Sequence, residues 1–99
     1  MRKFYLVHIQ PRPDAEFKDL CEWMDELHDW FRITDYTWVV YTKFSVGKLN
    51  EMFSHLVVPT GAMFICALDV AQTQGWMPRG FWDWINSKRK RPDNPRLPS

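Results

Sequence analysis

The sequence predicts an α+β fold in which two helices cover one face of an antiparallel sheet. Apolar segments typical of strands alternate with segments whose apolar residues recur at helical spacing. With 99 residues, of which 45% are hydrophobic, the chain is long enough to bury a core. We therefore assign residues 1–87 to a single domain, and residues 88–99 to a basic tail that has too few apolar residues to fold on its own.

The first strand and the first helix are indicated by two different patterns. Residues 3–10 are rich in aromatic and β-branched types and end at Pro11-Arg12-Pro13, which predicts a strand and then a loop. Asp14 can cap a helix whose pattern continues to about Trp30. Its apolar face consists of Phe17, Leu20, Cys21, Met24, Leu27, His28 and Phe31, and its charged face of Lys18, Asp19, Glu22, Asp25, Glu26 and Asp29.

The middle of the chain predicts a hairpin, a second helix and a final strand. Thr34-Asp35 is typical of a tight turn between strands at residues 31–34 and 36–42. Ser45 can cap a helix with Val46, Leu49, Met52, Phe53 and Leu56 on one side. Residues 62–68 are almost continuously apolar, which predicts a strand that is buried on both faces or central in the sheet.

The order of these elements is strand, helix, strand pair, helix and strand. This is the split βαβ arrangement of ferredoxin-like domains. Residues 72–80, with Gly75 and Pro78, predict a loop, and residues 81–86 predict a short aromatic helix or an edge segment.

Several classes of site are excluded by composition and motif. Two cysteines without CxxC spacing and three histidines without a metal motif give no basis for a zinc site or a disulfide framework. P-loop, GxGxxG and GxSxG motifs are absent. No segment has the roughly 20 apolar residues of a membrane helix and no signal peptide is visible, so we expect a cytoplasmic protein without a small-molecule cofactor.

A family resemblance follows from five segments. They are Tyr5-Leu6-Val7, the acidic-faced helix ending near Trp30, residues 37–42, Met63-Phe64-Ile65 and Trp82-Asp83-Trp84-Ile85. Over residues 3–88 they resemble the SinR-like branch of the small CRISPR-associated Cas-two proteins. The resemblance implies a ferredoxin-like homodimer and, for some members, a metal-dependent nuclease with an aspartate at the end of the first strand.

Gln10 occupies the position that corresponds to this aspartate. Hard cations such as Mg²⁺ prefer charged oxygen ligands, so an amide at this position is a poor substitute for a carboxylate. The resemblance with Gln10 in place therefore implies binding without cleavage.

The candidate binding residues are aromatic and basic. Aromatic faces stack on unpaired bases and cations neutralise phosphates. The residues that we expect to bind a nucleic acid or a protein partner are Trp82, Trp84, Lys88, Arg89, Lys90 and Arg91. Trp23 and Trp30 are seven residues apart, which places them on one edge of the first helix, and we expect them to be interface anchors.

Three functions remain open on the sequence. The first is a non-catalytic, homodimeric Cas-two-like module that binds a nucleic acid or a protein. The second is a metal-dependent, ribonuclease-type endonuclease that uses Mg²⁺, with Asp14 or Asp69 replacing the missing ligand and Asp69 lying near the end of the first strand. The third is a protein-binding inhibitor, or an accessory factor of a mobile element, that uses the acidic helix face.

Overall fold

A computed structural model of the protein describes residues 2–27 and 29–89. In chain order its elements are β1 (Lys3–Gln10), α1 (Phe17–Met24), β2 (Asp29–Thr34), β3 (Thr37–Thr42), α2 (Val46–Val57), β4 (Ala62–Ala67), a 3₁₀ turn (Val70–Gln72) and α3 (Arg79–Arg89). All strand pairs are antiparallel, and the sheet has the order β2-β3-β1-β4. The α+β class is confirmed, and the arrangement is compatible with a ferredoxin-like fold.

The chain divides into two compact units, of which the first ends at Asp69 and the second begins at Val70. The core of the first unit lies between one face of the sheet and the two helices α1 and α2. Alternate residues of a strand point to the same face. From the sheet the core takes Tyr5, Val7, Ile9, Trp38 and Val40, and from the helices Leu20, Met24, Leu49, Met52, Phe53, Leu56 and Val57. Burying each of the large side chains contributes about 1.5–3 kcal/mol.

The second helix begins where the sequence predicts. Ser45 Oγ accepts a hydrogen bond from the backbone N–H of Lys48 at 3.1 Å, which satisfies one of the free donors of the first turn. Leu49 and Phe53, one turn apart, are fully buried. The prediction of α2 and its cap is confirmed.

The first helix is much shorter than the sequence pattern predicts. Its N-cap is Glu16, without a side-chain capping bond, so the prediction that Asp14 caps it is wrong. At the other end the N–H of Glu26 bonds to the carbonyl of Trp23 at 3.1 Å, and that of Leu27 to Met24 at 3.0 Å. These tighter bonds span three residues and end the helix.

The residues after α1 form a strand because pairing outweighs the helical periodicity. Asp29–Thr34 is rich in aromatic and β-branched types and pairs antiparallel with β3, from Asp29 opposite Tyr41 to Thr34 opposite Thr37. The hairpin is therefore confirmed, and its first strand begins two residues earlier than predicted.

The last strand is at an edge of the sheet. β4 pairs with β1 alone among the described residues. Its side chains are exposed or half-buried, and Phe64 is 62% exposed. The prediction of a strand that is central or buried on both faces is wrong, because an uncharged apolar run does not reveal how many neighbours a strand has.

Gly61 lies where three backbone segments meet at the start of β4. Its N–H donates to the carbonyl of Val57 at 2.7 Å. A Cβ atom at this position would lie 2.9 Å from both the Arg12 nitrogen and the Val57 oxygen, and closer still to the Gln10 oxygen. Only glycine fits here, because real Cβ atoms do not approach backbone atoms so closely.

The second unit contains the 3₁₀ turn and α3. The helix alternative for residues 81–86 is confirmed, and the helix extends from Arg79 to Arg89 with Phe81 and Ile85 buried. None of the helices in residues 2–27 and 29–89 is both long enough and apolar enough to cross a membrane.

Candidate functional site

Gln10 is the last residue of β1, as the sequence predicts, and its side chain is exposed. It lies opposite Ala62 of β4, so neither strand contributes a carboxylate at this pair. The end of β1 therefore presents an amide beside an alanine.

Asp14 lies in the loop that follows β1. Its carboxylate accepts a hydrogen bond from Nε of Arg12 at 2.9 Å, and its side chain is 80% exposed. The guanidinium of Arg12 also donates to the carbonyl of His55, and its backbone N–H donates to the carbonyl of Leu56 at 2.9 Å. Asp14 is thus paired with a cation that joins the loop to the end of α2.

Asp69 lies at the opposite end of the sheet from Gln10. Because β1 and β4 are antiparallel, Ala62 is opposite Gln10 and Ala67 is opposite Tyr5. Leu68 N donates to the Phe4 carbonyl at 3.0 Å, so the chain leaves β4 beside the start of β1. The expectation that Asp69 approaches the end of the first strand is wrong.

The structure therefore does not bring Asp14 and Asp69 together. Among residues 2–27 and 29–89, no group of three or more His, Cys, Asp and Glu side chains could hold a metal ion. His8 instead contacts the hydroxyl of Thr37 at 3.0 Å, and the ring of His55 lies 5.0 Å from that of Trp23 in an edge-to-face arrangement.

Trp23 and Trp30 do not share a helix edge, because α1 ends at Met24. Trp23 is on α1 and 38% exposed. Trp30 is on β2, half-buried, and packs against the core of the first unit. Sequence spacing predicts a common edge only if the helix continues, and here it does not.

The acidic face is divided for the same reason. Asp19 and Glu22 are on α1, but Asp25 and Glu26 follow the helix and Asp29 begins β2. Glu22 also pairs with Lys18 at 3.6 Å. The residues predicted to share one charged helix face therefore lie on three different segments of the chain.

The predicted aromatic and basic residues are on α3. Trp82 and Trp84 are half-buried, and the Trp82 ring lies 5.1 Å from the ring of Phe81, edge to face. Lys88 and Arg89 are in the last turn of the helix, where cations interact favourably with the helix dipole. Lys90 and Arg91 lie outside the described residues.

Trp76 is a candidate that the sequence reasoning missed. It lies between the 3₁₀ turn and α3 and is fully exposed, at 101%. A Cβ on the neighbouring Gly75 would have no atom within 4 Å, so the backbone is open here as well. The available signal was a tryptophan in a predicted loop, outside any apolar periodicity that would bury it.

Comparison with known proteins adds no assignment to this geometry. No family model, no curated protein and no solved structure matches the chain.

Proposed function

We propose that this protein is a non-catalytic, Cas-two-like binding module of ferredoxin-like fold that forms a homodimer and binds single-stranded nucleic acid through its second unit. The fold assignment is supported by the element order and by the strand order β2-β3-β1-β4, in which β1 lies between β3 and β4. The split βαβ pattern has this element order.

The positions of the acidic residues relative to β1 support the absence of catalysis. The position of the family's aspartate is occupied by Gln10, and Asp69 is at the other end of the antiparallel pair. Asp14 is the acidic residue nearest along the chain, and it is paired with Arg12. A single carboxylate in an exposed ion pair lacks the further charged ligands that a catalytic Mg²⁺ needs.

Trp76 is the observation that carries the binding proposal. A fully exposed indole has both faces open to a base, and base–aromatic stacking contributes about 1–3 kcal/mol per base. The same unit has the cations Lys88 and Arg89 in the last turn of α3. Residues 71–99 contain six Lys and Arg against two Asp and Glu, so this part of the chain attracts phosphate.

The protein of residues 1–99 should bind a fluorescent single-stranded oligonucleotide, measured by anisotropy at two salt concentrations. We expect Trp76→Ala to weaken binding about tenfold at both, because stacking does not depend on counterions. Replacing Lys88, Arg89, Lys90 and Arg91 with glutamine should weaken binding and also reduce its salt dependence.

The matched control removes lysines from the first unit, with Lys43→Gln and Lys48→Gln. Both side chains are exposed, and we expect affinity and salt dependence to stay within twofold of the unchanged protein. If the control weakens oligonucleotide binding as much as the second-unit variants do, or if the protein has no affinity at low salt, the proposed binding surface is contradicted. A protein partner would then be the favoured alternative.

The catalytic alternative is tested with the same oligonucleotides in Mg²⁺ or Mn²⁺. We expect intact RNA and DNA after prolonged incubation. Cleavage that Asp14→Ala or Asp69→Ala abolishes would contradict the non-catalytic assignment, even if the affinity measurements agreed with it.

A further inference from the structure

The hydrogen-bond pattern between β1 and β4 fixes which backbone groups of β4 point away from β1. Leu68 N donates to the Phe4 oxygen, and in the same register Cys66 is opposite Leu6 and Phe64 opposite His8. Hydrogen-bonded and non-bonded pairs alternate along an antiparallel ladder. The backbone groups of Met63, Ile65 and Ala67 therefore point away from β1, and no strand pairs with that side among the described residues.

Within its own residues β4 has no charge, proline or bulge that would oppose pairing. Its six residues, Ala62–Ala67, include no charge and no proline, and the register with β1 is continuous over the whole strand. Natural edge strands are usually blocked by charges, proline or bulges. An unblocked, apolar edge is a template for another strand.

We propose that β4 pairs antiparallel with β4 of a second copy of this chain, about a two-fold axis at Ile65, so that the two sheets become one. The inference rests on the homodimer of the proposed function and specifies its interface. The outward groups of Met63, Ile65 and Ala67 are symmetric about Ile65. In this register each of them meets a partner group on the second copy, with Met63 opposite the copy's Ala67.

The side chains of the strand favour its own copy as the occupant. A neutral strand meets no like charge when it pairs with itself, whereas like charges directly opposite each other destabilise a sheet. A charged peptide would find no opposite charge along β4. The axis at Ile65 places the exposed ring of Phe64 across from Cys66 of the copy, in a non-bonded pair with Cα atoms about 4.5 Å apart. Sulfur–aromatic contacts of this kind are favourable.

Pairing about Ile65 can be tested by cross-linking. The test uses a Cys21→Ser background, which leaves Cys66 as the one native cysteine. Phe64→Cys places a thiol opposite the copy's Cys66, within the Cα separation of about 4.4–6.8 Å that a disulfide requires. We expect oxidised glutathione to convert this variant into a covalent dimer on a non-reducing gel.

The matched control adds Cys66→Ala to Phe64→Cys in the same background. The two introduced thiols, one at position 64 of each copy, are then diagonal across the axis, about 7–8 Å apart, and should give at least tenfold less dimer. Cross-linking as strong as that of the two-cysteine variant would overturn the axis at Ile65. A protein that neither cross-links nor self-associates would overturn the pairing altogether.

Sedimentation of variants without new cysteines gives an independent measurement. Phe64 and Val58 are equally exposed, at 62%, so Phe64→Lys and Val58→Lys add the same charge to similar sites. We expect Phe64→Lys to raise the dimer dissociation constant at least tenfold and Val58→Lys to leave it within twofold. Equal effects would overturn the interface, with urea unfolding confirming that both variants are folded.

Oligonucleotide binding by the same proteins separates the two proposals. If Phe64→Cys cross-links as expected but the chain has no affinity for nucleic acid, the proposed function fails and the β4 pairing stands. If nucleic acid binds and the chain is a monomer, both the β4 pairing and the proposed homodimer fail, and the binding surface of the second unit stands.

Discussion

β2 and β4 are the two edge strands of one sheet, but they are built in opposite ways. β2 carries Asp29 and Arg32, and its register with β3 shifts between Arg32 and Thr34. β4 carries no charge, and its register with β1 is unbroken. Charge and irregular register are the features with which natural proteins block edges. The residues of β2 therefore carry two of these protective features, and the residues of β4 carry neither.

Arg32 is a charged residue near the middle of β2. Its guanidinium carbon lies 4.8 Å from the centre of the Phe17 ring and 5.9 Å from that of Trp38. The same group pairs with Asp35 at 3.2 Å. Charged side chains on an edge strand disfavour pairing with another strand, and β4 has no charged residue among its own six.

The largest effect on stability that we predict is at Gly61, immediately before β4. Gly61→Ala should reduce the free energy of unfolding by about 3 kcal/mol, measured by urea denaturation, because the new methyl group collides with backbone atoms of Arg12 and Val57. These atoms belong to the loop after β1 and the end of α2, so neither can move without disturbing the start of β4.

Gly47→Ala is the matched control for this change. A Cβ at Gly47 would lie 3.9 Å from Ser45 Oγ, an ordinary contact, and the residue is helical. We expect a gain of about 0.5 kcal/mol, because alanine restricts the unfolded chain. A loss at Gly47 similar to that at Gly61 would contradict the steric explanation.

A smaller effect should follow from making β2 resemble β4. Arg32→Leu removes the cation–π contacts and the exposed ion pair, and should lower stability by about 1 kcal/mol. It also leaves β2 with an uncharged centre, so we expect light scattering to detect more self-association. Unchanged association would mean that the shift in register protects this edge without Arg32.

Lys48→Leu controls for the loss of a positive charge and the gain of an exposed leucine. Lys48 makes one exposed pair with Glu51 at 3.9 Å on α2. Such pairs contribute little, so stability should change by less than about 0.5 kcal/mol and association should not increase.

The smallest effect is expected on the exposed face of β4. Phe64→Thr should change the stability of the monomer by less than about 0.5 kcal/mol, because the ring is mostly in solvent. Ile65→Thr, one residue along, should cost about 2 kcal/mol, since Ile65 packs against the core. Urea denaturation of the dilute protein measures both, and a large loss at Phe64 would show that the ring is covered in the monomer.

Two of the errors of sequence interpretation fall at the two edge strands. For β2, the helical spacing of Met24, Leu27 and Phe31 predicted a helix that continues to about Trp30, in residues that pair as a strand. For β4, the almost continuous apolar run predicted a strand that is central or buried on both faces, although β4 lies at an edge of the sheet. Periodicity describes the faces of an element, and it contains no information on how many strands lie beside it.

The candidate residues also divide into those that local sequence patterns predict and those whose position depends on the fold. Gln10 at the end of β1 and a helix carrying Trp82 and Trp84 were correctly predicted, because both depend on short local patterns. The position of Asp69 depends on the direction of β4 relative to β1. The exposure of Trp76 depends on how the chain folds around it. Neither property is encoded within a window of neighbouring residues.

The sequence alone determined the elements that form through local bonds. These are the cap and buried face of α2 and the turn between β2 and β3. The sequence also correctly placed the amide of Gln10 at the end of β1. The tertiary structure alone decided where α1 ends and which strands are edges. It also separated the carboxylates of Asp14 and Asp69. The physical reason is that pairing between strands outweighs the small preferences of single residues, and these pairs exist only once the sheet has formed.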